Sequence, residues 1–442
     1  MKNVVLITVD CLRADHMSCY GYKRKTTPFI DKIARKGMFF KNAFANGPNT
    51  RHSVPSFLTS TYPLLFTQEA KTGKFHEGRK SVADFLKENG YMTGAVHSNP
   101  YISKFYGYDR GFDYFNDFLL GQVEDEIERS KISKALHEAV KGFKAVFMKK
   151  LPHEDGERIN IEAFKWIEKA NEPFFLWLHY MDVHMPYIPP NEYLEEIGVK
   201  KYSHVKKVWL GKKIDDVKLR EKIRDDEIED YINLYDGCIR YVDRTIKELI
   251  LKLEKNYSDT IFIITADHGE EFREHGDLGH SEKLYDELLH IPLLFYGKGV
   301  KKQSIDKIIS LINLVPTIFY FLDMKKKDMK KNAWLQGKNV FESDDFFIAE
   351  AWKDERITAY RDREWKLIVK GKEKELYNVI EDAKEENNLL VNEKKFSKKV
   401  KELEKIIDNH IKFLEKERMK RKTILQKEKI RKAMRNLIMR NK

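Results

Sequence analysis

The chain alternates short apolar segments with amphipathic ones, and this alternation most constrains its fold. "NVVLITVD" is a continuous apolar run that ends at Asp10, and "DTIFIITADH" ends at Asp267 and His268. Such runs are typical of parallel strands that are buried on both faces. Segments with helical periodicity, such as "SVADFLKENG", lie between the apolar runs. The pattern predicts an α/β fold with a mostly parallel central sheet flanked by helices.

The predicted strands end in side chains that can do chemistry. Besides Asp10, Asp267 and His268, the chain places His97 and His184 after two further apolar runs. A single acid at a strand end is most often a turn or cap residue. Because functional groups of open parallel sheets gather at the carboxyl ends of the strands, four such ends indicate a site. The oxygen and nitrogen donors suit Zn²⁺, Mn²⁺ or Ca²⁺ and do not decide among them.

The net charge of the chain comes from its end. The formal charge is +12, and residues 391–442 hold 19 Lys and Arg against 7 Asp and Glu, which leaves 63 against 63 in residues 1–390. A neutral body does not predict a nucleic-acid partner. The three cysteines lack metal-ligand spacing, and no segment approaches the roughly 18 apolar residues of a membrane span. We therefore expect a cytoplasmic protein.

Composition and periodicity divide the chain into three parts. Residues 1–345 form the predicted catalytic α/β domain, with a helical insertion at about 120–160. Residues 346–392 alternate like antiparallel strands and predict a small C-terminal α+β subdomain. Residues 393–442 predict a basic amphipathic helical tail. We expect the tail to pack on the body; the alternative is weak peripheral contact with an anionic membrane surface.

The segment "GPNTRHSVPSFLTS" contains five hydroxyl side chains before an apolar helical start. A helix N-terminus offers free N–H groups to an anion, so a hydroxyl there is placed to attack an anionic ester. The alternative is that Thr50 and Ser53 are ordinary helix caps. The spacing alone favours the caps.

Taken together, the motifs resemble those of the sulfatase family of the alkaline-phosphatase-like superfamily, over nearly all of residues 1–390. They occur in the family's order: "NVVLITVDCLRADHMSCYGY", "TPFIDKIARKGMFFKNAFA", "SVPSFLTS", "FFLWLHYMDVHMPY", "YDGCIRYVDRTIKEL", "TADHGEEFREHG", "LYDELLHIPLLFYGKG", "NLVPTIFYFLD" and "ELYNVIEDAKEENNL". The resemblance implies an alkaline-phosphatase-like fold and one divalent metal ion, either Ca²⁺, Mn²⁺ or Zn²⁺.

The resemblance also implies roles for individual residues. Asp10, Thr50, Asp267 and His268 would hold the metal. Thr50 stands at the nucleophile position, Arg51 follows it, and His184 is the candidate general acid for the leaving oxygen. The implied substrate-binding residues are His97, Asn99 and His280, with Lys283 as a rival to His280.

Three positions depart from the family pattern. The family's nucleophile is a Cys or Ser that is oxidised to formylglycine, and Thr50 cannot become that aldehyde. The frequent second acid after Asp10 is Cys11, which removes a carboxylate. The customary Arg of the motif is Val54, so neutralising the anion falls to Arg51, His52 or the metal.

The resemblance therefore implies a metal-dependent hydrolase of an anionic ester, acting through a Thr nucleophile. Sulfuric esters and phosphate or phosphonate esters suit this chemistry about equally. One alternative is a soluble transferase of phosphoglycerol or phosphoethanolamine head groups. An alternative of another class is an inactive protein that binds an anionic glycan.

Overall fold

The computed structural model describes residues 1–119, 153–324 and 335–440. Most of the predicted insertion at about 120–160 lies outside these ranges. Its described end, from residue 153, leads into the helix Gly156–Ile167.

Among the described residues, ten strands precede the small sheet. They are β1 Asn3–Val9, β2 Met38–Phe44, β3 Met92–His97, β4 Tyr114–Asn116, β5 Phe174–Tyr180, β6 Thr260–Ala266, β7 Glu271–Phe272, β8 Leu278–Gly279, β9 His290–Gly297 and β10 Gln303–Ser310. Eight of them form one sheet in the order β10-β2-β9-β6-β1-β5-β3-β4, while β7 and β8 pair separately. Strand β9 is antiparallel to β2 and β6, and the other pairs in the sheet are parallel. The predicted mostly parallel sheet is confirmed.

Helices flank this sheet, and the last helix of the chain packs on the small sheet. The described α-helices are α1 Pro28–Lys36, α2 Thr50–Thr59, α3 Thr67–Thr72, α4 Val82–Glu88, α5 Gly156–Ile167, α6 Asn191–Glu196, α7 His204–Asp215, α8 Val217–Arg220, α9 Asp225–Asn256, α10 Asp286–Leu289, α11 Leu314–Phe321 and α12 Glu393–Arg440. Every residue of β1, β5 and β6 is buried, which explains why these strands read as unbroken apolar runs.

The register of the central strands positions the site. Val9 of β1 pairs with Ala266 of β6, so Asp10 and Asp267 leave the sheet side by side. On its other side β1 pairs with β5, where Thr8 lies opposite His179. The chemistry-bearing residues of distant segments therefore converge at one sheet edge.

A second sheet follows, made of β11 Phe347–Trp352, β12 Arg356–Arg361, β13 Trp365–Lys370 and β14 Glu373–Asn378, all antiparallel. One face packs into the main core through side chains such as Ala349 and Ala359. The other face presents Leu367 and Leu376 to Leu403 and Ile407 of α12. The predicted small antiparallel sheet is confirmed.

The terminal helix α12 changes character along its length. Leu403, Ile407 and Leu414 are buried against the small sheet and the segment Pro63–Phe66, whereas Ile430 and Met434 are more than half exposed. The first half therefore packs on the body, as the periodicity predicts. Within the described residues, no helix combines the length and the apolar character needed to cross a bilayer.

Candidate active site

Helix α2 begins at the carboxyl edge of the large sheet. Its N-cap is Asn49, whose side chain accepts hydrogen bonds from the backbone N–H and the Nδ1 of His52. The interpretation of Thr50 or Ser53 as the cap is therefore wrong. Thr50 is the first helical residue, and the helix N-terminus lies at the acidic end of β6. An anion bound there would meet free N–H groups and a favourable helix dipole.

Four of the predicted residues meet at this edge. The Thr50 hydroxyl donates a hydrogen bond to Asp267 Oδ2 at 3.0 Å and lies 3.3 Å from His268 Nε2. His268 Nε2 lies 3.5 Å from Asp10 Oδ1 and 3.4 Å from Asp267 Oδ2. The ligand atoms of Asp10, Asp267 and His268 all lie within 4.8 Å of one another. Metal–ligand bonds of about 2.0–2.6 Å fit this spacing after small side-chain movements.

The orientation of His268 fits a metal ligand. Its Nδ1 donates to the Gly269 carbonyl at 2.8 Å, which leaves the Nε2 lone pair directed at the carboxylates. Burial raises the pKa of Asp267, and the charge of Asp10 raises it further. Among the described residues, neither Asp10 nor Asp267 has a Lys or Arg partner, although both carboxylates are buried and close together. A divalent cation would neutralise their charge.

A second layer of side chains fixes Asp10. Its Oδ2 accepts hydrogen bonds from Asn99 Nδ2 at 2.8 Å and from His179 Nε2 at 3.0 Å, and His179 Nδ1 meets the Thr8 hydroxyl at 2.8 Å. Burial alone would raise the pKa of Asp10, but the hydrogen bond from His179 lowers it below its usual value. Asn99, predicted to bind substrate, is buried and orients Asp10. Oδ2 accepts from two side chains, whereas Oδ1 accepts only from the weak thiol donor of Cys11 and lies 3.5 Å from His268 Nε2, so Oδ1 is the oxygen directed at the candidate metal position.

Cys11, His184 and His280 lie beside this cluster. Cys11 Sγ donates to Asp10 Oδ1 at 3.1 Å and lies 3.6 Å from His280 Nδ1. The rings of His184 and His280 are 5.2 Å apart, and those of His268 and His280 are 4.6 Å apart. His280 also contacts the buried Glu270, whose Oε1 lies 2.9 Å from Nδ1.

The structure separates the two rivals for anion binding. His280 faces the cleft, and Glu270 raises the pKa of its imidazole to about 8 although burial alone would lower it. Lys283 instead bonds both carboxylate oxygens of Glu271 and the carbonyl of His275. This ion pair commits the ammonium of Lys283 away from the cleft.

Two further candidates, His97 and Arg51, differ in their surroundings. His97 is fully buried between Phe115 and Trp177, and neither ring nitrogen has a hydrogen-bond partner among the described residues. The side chain of His97 is therefore covered by its neighbours in the described structure. Arg51 is exposed, with its guanidinium 4.4 Å from the centre of the Tyr101 ring.

His52 cannot serve as a cation for the substrate. Burial lowers its pKa to about 4, and its Nε2 accepts a hydrogen bond from the Trp352 backbone N–H. The imidazole is therefore neutral and links α2 to β11. The expectation that His52 shares in neutralising the anion is corrected accordingly.

Two residues of the site escaped the sequence analysis. His179 orients Asp10, and Glu270 accepts hydrogen bonds from His280 and from the Tyr187 hydroxyl at 2.7 Å. The sequence holds a signal for each: His179 is an imidazole inside the otherwise apolar strand "FFLWLHY", and Glu270 belongs to the acidic pair that follows His268 in "DHGEE". Buried polar groups in such places require a partner.

The eight-stranded sheet, its antiparallel strand β9 and the acidic carboxyl edge define an alkaline-phosphatase-like α/β protein. The sulfatase family model matches residues 2–324, and the chain belongs to the sulfatase family.

Known proteins share this similarity over long stretches. An uncharacterized sulfatase of Escherichia coli K12, YidJ, is 24% identical over 368 residues, which are 76% of this chain and 70% of that protein. Human iduronate 2-sulfatase is 27% identical over 342 residues, 67% of this chain and 60% of its own length. A phosphonate monoester hydrolase from Silicibacter pomeroyi superposes with a TM-score of 0.70 at 15% identity, covering 93% of this chain and 95% of that one. This last match shows a shared fold.

Proposed function

We propose that this member of the sulfatase family hydrolyses an anionic ester, with Thr50 as the nucleophile. The position of the Thr50 hydroxyl carries the proposal, because it lies 3.0 Å from Asp267 Oδ2 at the start of a helix. A divalent ion held by Asp10, Asp267 and His268 would lower the pKa of that hydroxyl and neutralise the anionic oxygens of the ester. Family membership and the phosphonate monoester hydrolase fold support this class of reaction.

The chain's own residues account for the proton and the leaving group. The hydroxyl proton of Thr50 points at Asp267 Oδ2, and Thr50 Oγ attacks sulfur or phosphorus to form a Thr ester. His184 is half-buried with a ring nitrogen within 4.8 Å of ligand atoms of Asp10 and Cys11, and we assign it to protonate the leaving alcohol. Water then cleaves the Thr ester. Arg51 and His280 are assigned to the oxygens of the anion, and the fully buried His97 is not.

The substrate class follows from the nucleophile. A formylglycine hydrate can expel sulfate by using its second hydroxyl, whereas a Thr ester needs a second displacement by water. Phosphoryl groups undergo such displacement readily. We therefore expect turnover of phosphate diesters or phosphonate esters at least comparable to that of sulfate esters, without any maturation enzyme.

A panel of aryl esters assayed with Ca²⁺, Mn²⁺ and Zn²⁺ tests the proposal. Thr50→Ala should lower kcat by about 10⁴-fold or more, the scale seen when a residue of a catalytic unit is removed, and should leave the thermal unfolding temperature nearly unchanged. Thr50→Ser is the matched control and should retain measurable turnover. During slow turnover, mass spectrometry should find the added group on the peptide that contains Thr50.

Three results would refute the assignment. They are full activity in Thr50→Ala, the label on Ser53 in place of Thr50, and binding of anionic glycans with no ester turned over by the wild-type chain. Transfer of the group to an added alcohol, with little hydrolysis, would instead identify a head-group transferase.

A further inference from the structure

A cavity outside the cleft lies between the second half of helix α12 and residues 66–77. Its volume is about 410 Å³, within the range of small-molecule sites in proteins. Among the residues that the structure describes, none that lines this cavity belongs to the candidate active site. The proposed hydrolysis therefore leaves the cavity without a role.

One face of helix α12 lines the cavity with cations. Arg418, Lys422 and Lys429 line it together with Leu425, and these positions are four, three and four residues apart along the helix. Side chains at this spacing lie on the same side of a helix, so the three cations form a row. Among the described lining residues the one acid is Glu77, on the opposite wall, and three cations against one acid leave a net charge of +2.

The guanidinium of Arg418 is held in place by the backbone of the body. Its Nε donates to the Leu65 carbonyl at 2.8 Å, and its Nη2 donates to the Leu64 carbonyl at 2.9 Å. Carbonyl oxygens do not neutralise the positive charge. Burial lowers the pKa of Arg418, and the charge of Arg356 lowers it further. A guanidinium fixed in this way can bind phosphate oxygens with little further loss of side-chain freedom.

Two further guanidiniums lie beside the lining residues. Arg421 is buried in α12, with its Nε 3.9 Å from a carboxylate oxygen of Glu417. Its pKa is lowered to about 9, first by burial and then by the charge of Arg79. The Arg79 guanidinium lies 5.5 Å from the centre of the Phe66 ring and bonds Glu69 at 2.6 Å. An anion bound in the cavity would lower the electrostatic energy of these crowded cations.

Apart from Glu77, the facing wall is uncharged. His76 stacks on Phe66 with ring centres 3.7 Å apart, and burial lowers its pKa to about 4. Its Nδ1 accepts from the Gly78 backbone N–H at 3.0 Å, which places the proton of the neutral imidazole on Nε2. A Cβ at Gly78 would lie 2.9 Å from Phe66 Cζ and 3.0 Å from Leu425 Cδ1, so the glycine lets the two walls pack closely.

We propose that this cavity binds a soluble phosphorylated small molecule, about the size of a nucleoside diphosphate. The row of cations binds the phosphate oxygens, and the wall formed by His76 and Leu425 contacts the organic part. Arg418 and Lys422 are roughly 6 Å apart along the helix axis, so the row suits a ligand with more than one anionic group. The site goes beyond the proposed function and depends neither on Thr50 nor on a metal ion.

Titration calorimetry of the metal-free, full-length chain with inorganic pyrophosphate and with ADP tests this site. One equivalent of pyrophosphate should bind, and ADP should bind more tightly because its organic part contacts the uncharged wall. Lys422→Glu should raise both Kd values by at least about tenfold, since repulsion replaces a charge-assisted contact. The Lys422 side chain is exposed, so this variant should fold.

Two more variants sharpen the measurement. Lys416→Glu is the matched control, because Lys416 is exposed on the same helix but does not line the cavity, and it should change Kd by less than about twofold. Glu77→Gln should lower Kd, because it removes the acid of the lining and releases Lys429 from its ion pair. Thr50→Ala should keep the wild-type Kd, so a failure of the proposed nucleophile leaves this test intact.

Four results would overturn the inference. They are no binding of pyrophosphate, a wild-type Kd in Lys422→Glu, equal losses of affinity in Lys422→Glu and Lys416→Glu, and ADP binding no tighter than pyrophosphate. Binding only to vesicles of phosphatidylcholine with phosphatidic acid, with neither soluble probe bound, would assign the row of cations to a membrane surface and would also overturn the small-molecule site.

Discussion

Buried carboxylates occur in two regions of the molecule, and they are neutralised in different ways. At the contact between helix α10 and the small sheet, Lys366 bonds both Asp286 and Glu385, and Arg361 also bonds Asp286. Burial alone would raise the pKa of Asp286, but Arg361 and Lys366 lower it far below its usual range. The protein itself supplies the cations here, so this cluster is structural.

The carboxyl edge of the large sheet shows the opposite arrangement. Asp10, Asp267 and Glu270 are fully buried, and among the described residues their carboxylates contact imidazole, amide, hydroxyl, thiol and backbone N–H groups but no Lys or Arg. Excess buried negative charge of this kind is costly unless a cation is added. The absence of a Lys or Arg partner within the described residues, more than the presence of acids, makes this edge a candidate metal site and not a structural ion pair.

The largest effect is expected at the cleft, where removing an acid should abolish activity without lowering stability. We expect Asp267→Asn to lower kcat/KM by about 10⁴-fold, the scale for losing a member of a catalytic unit. The metal-free variant should unfold at the same temperature as the metal-free wild type or higher, because an uncompensated charge is gone. Chelator competition and thermal unfolding measure the two effects. A destabilised variant with normal metal affinity would break the comparison.

The reverse pattern is expected at the small sheet. Lys366 is fully buried, and Lys366→Met leaves Asp286 and Glu385 without their shared ammonium. The free energy of unfolding should fall by about 3–5 kcal/mol, while kcat/KM of the folded protein stays unchanged. Urea denaturation followed by circular dichroism measures this loss.

The matched control is Lys338→Met. Lys338 pairs with Asp344, and both side chains are more than half exposed. Its loss should change stability by less than about 1 kcal/mol. Equal losses of unfolding free energy in Lys366→Met and Lys338→Met would show that burial does not strengthen the ion pairs of Lys366.

A smaller effect is expected from pH at the Glu270–His280 pair. Glu270 raises the pKa of His280 from 6.5 to about 8 in the metal-free protein, against the opposing effect of burial. Because the folded-state pKa is the higher one, this stabilisation is fully present below about pH 6.5 and is lost as pH rises through about 8. It amounts to at most about 2 kcal/mol, at 1.36 kcal/mol per pH unit.

Unfolding temperatures measured in chelator between pH 5.5 and pH 9 test this effect. The wild-type chain should lose more stability over that range than Glu270→Gln, in which the imidazole loses its hydrogen-bonded carboxylate and keeps only the charges of Asp10 and Asp267. Parallel curves for the two proteins would contradict the pairing.

The sequence predicted the parts of the site that local patterns encode. Asp10 and Asp267 end apolar strands, so strand ends indicated them, whereas Thr50 was predicted from the family resemblance because its spacing alone favoured a helix cap. His179 was missed because its partner Asp10 lies 169 positions away, and only the register of β1 against β5 brings them together. Asn99 and Lys283 stay predicted substrate-binding residues, and their bonds to Asp10 and Glu271 depend on tertiary packing that no local pattern specifies.

The smallest effect is expected at the end of helix α12. Residues 427–442 carry seven Lys and Arg against one Glu, and Ile430 and Met434 are largely exposed. Among the described contacts, this segment meets the body through the exposed ion pair between Lys429 and Glu77. A chain that ends at Gln426 loses that ion pair. Its free energy of unfolding should therefore change by less than about 1 kcal/mol.

A buried position in the same helix provides the contrast. Leu414 is fully buried beside Leu65 and Phe66, so Leu414→Ala should lower the free energy of unfolding by about 2–5 kcal/mol.

The chain that ends at Gln426 also tests the proposed membrane contact, since each basic residue near an anionic surface contributes about 1 kcal/mol to membrane binding. If the helix end touches membranes, the full chain should sediment with anionic vesicles at low salt more than the shortened chain does. Equal sedimentation would restrict α12 to its packing role, because the charge that remains lies on a helix already committed to the small sheet.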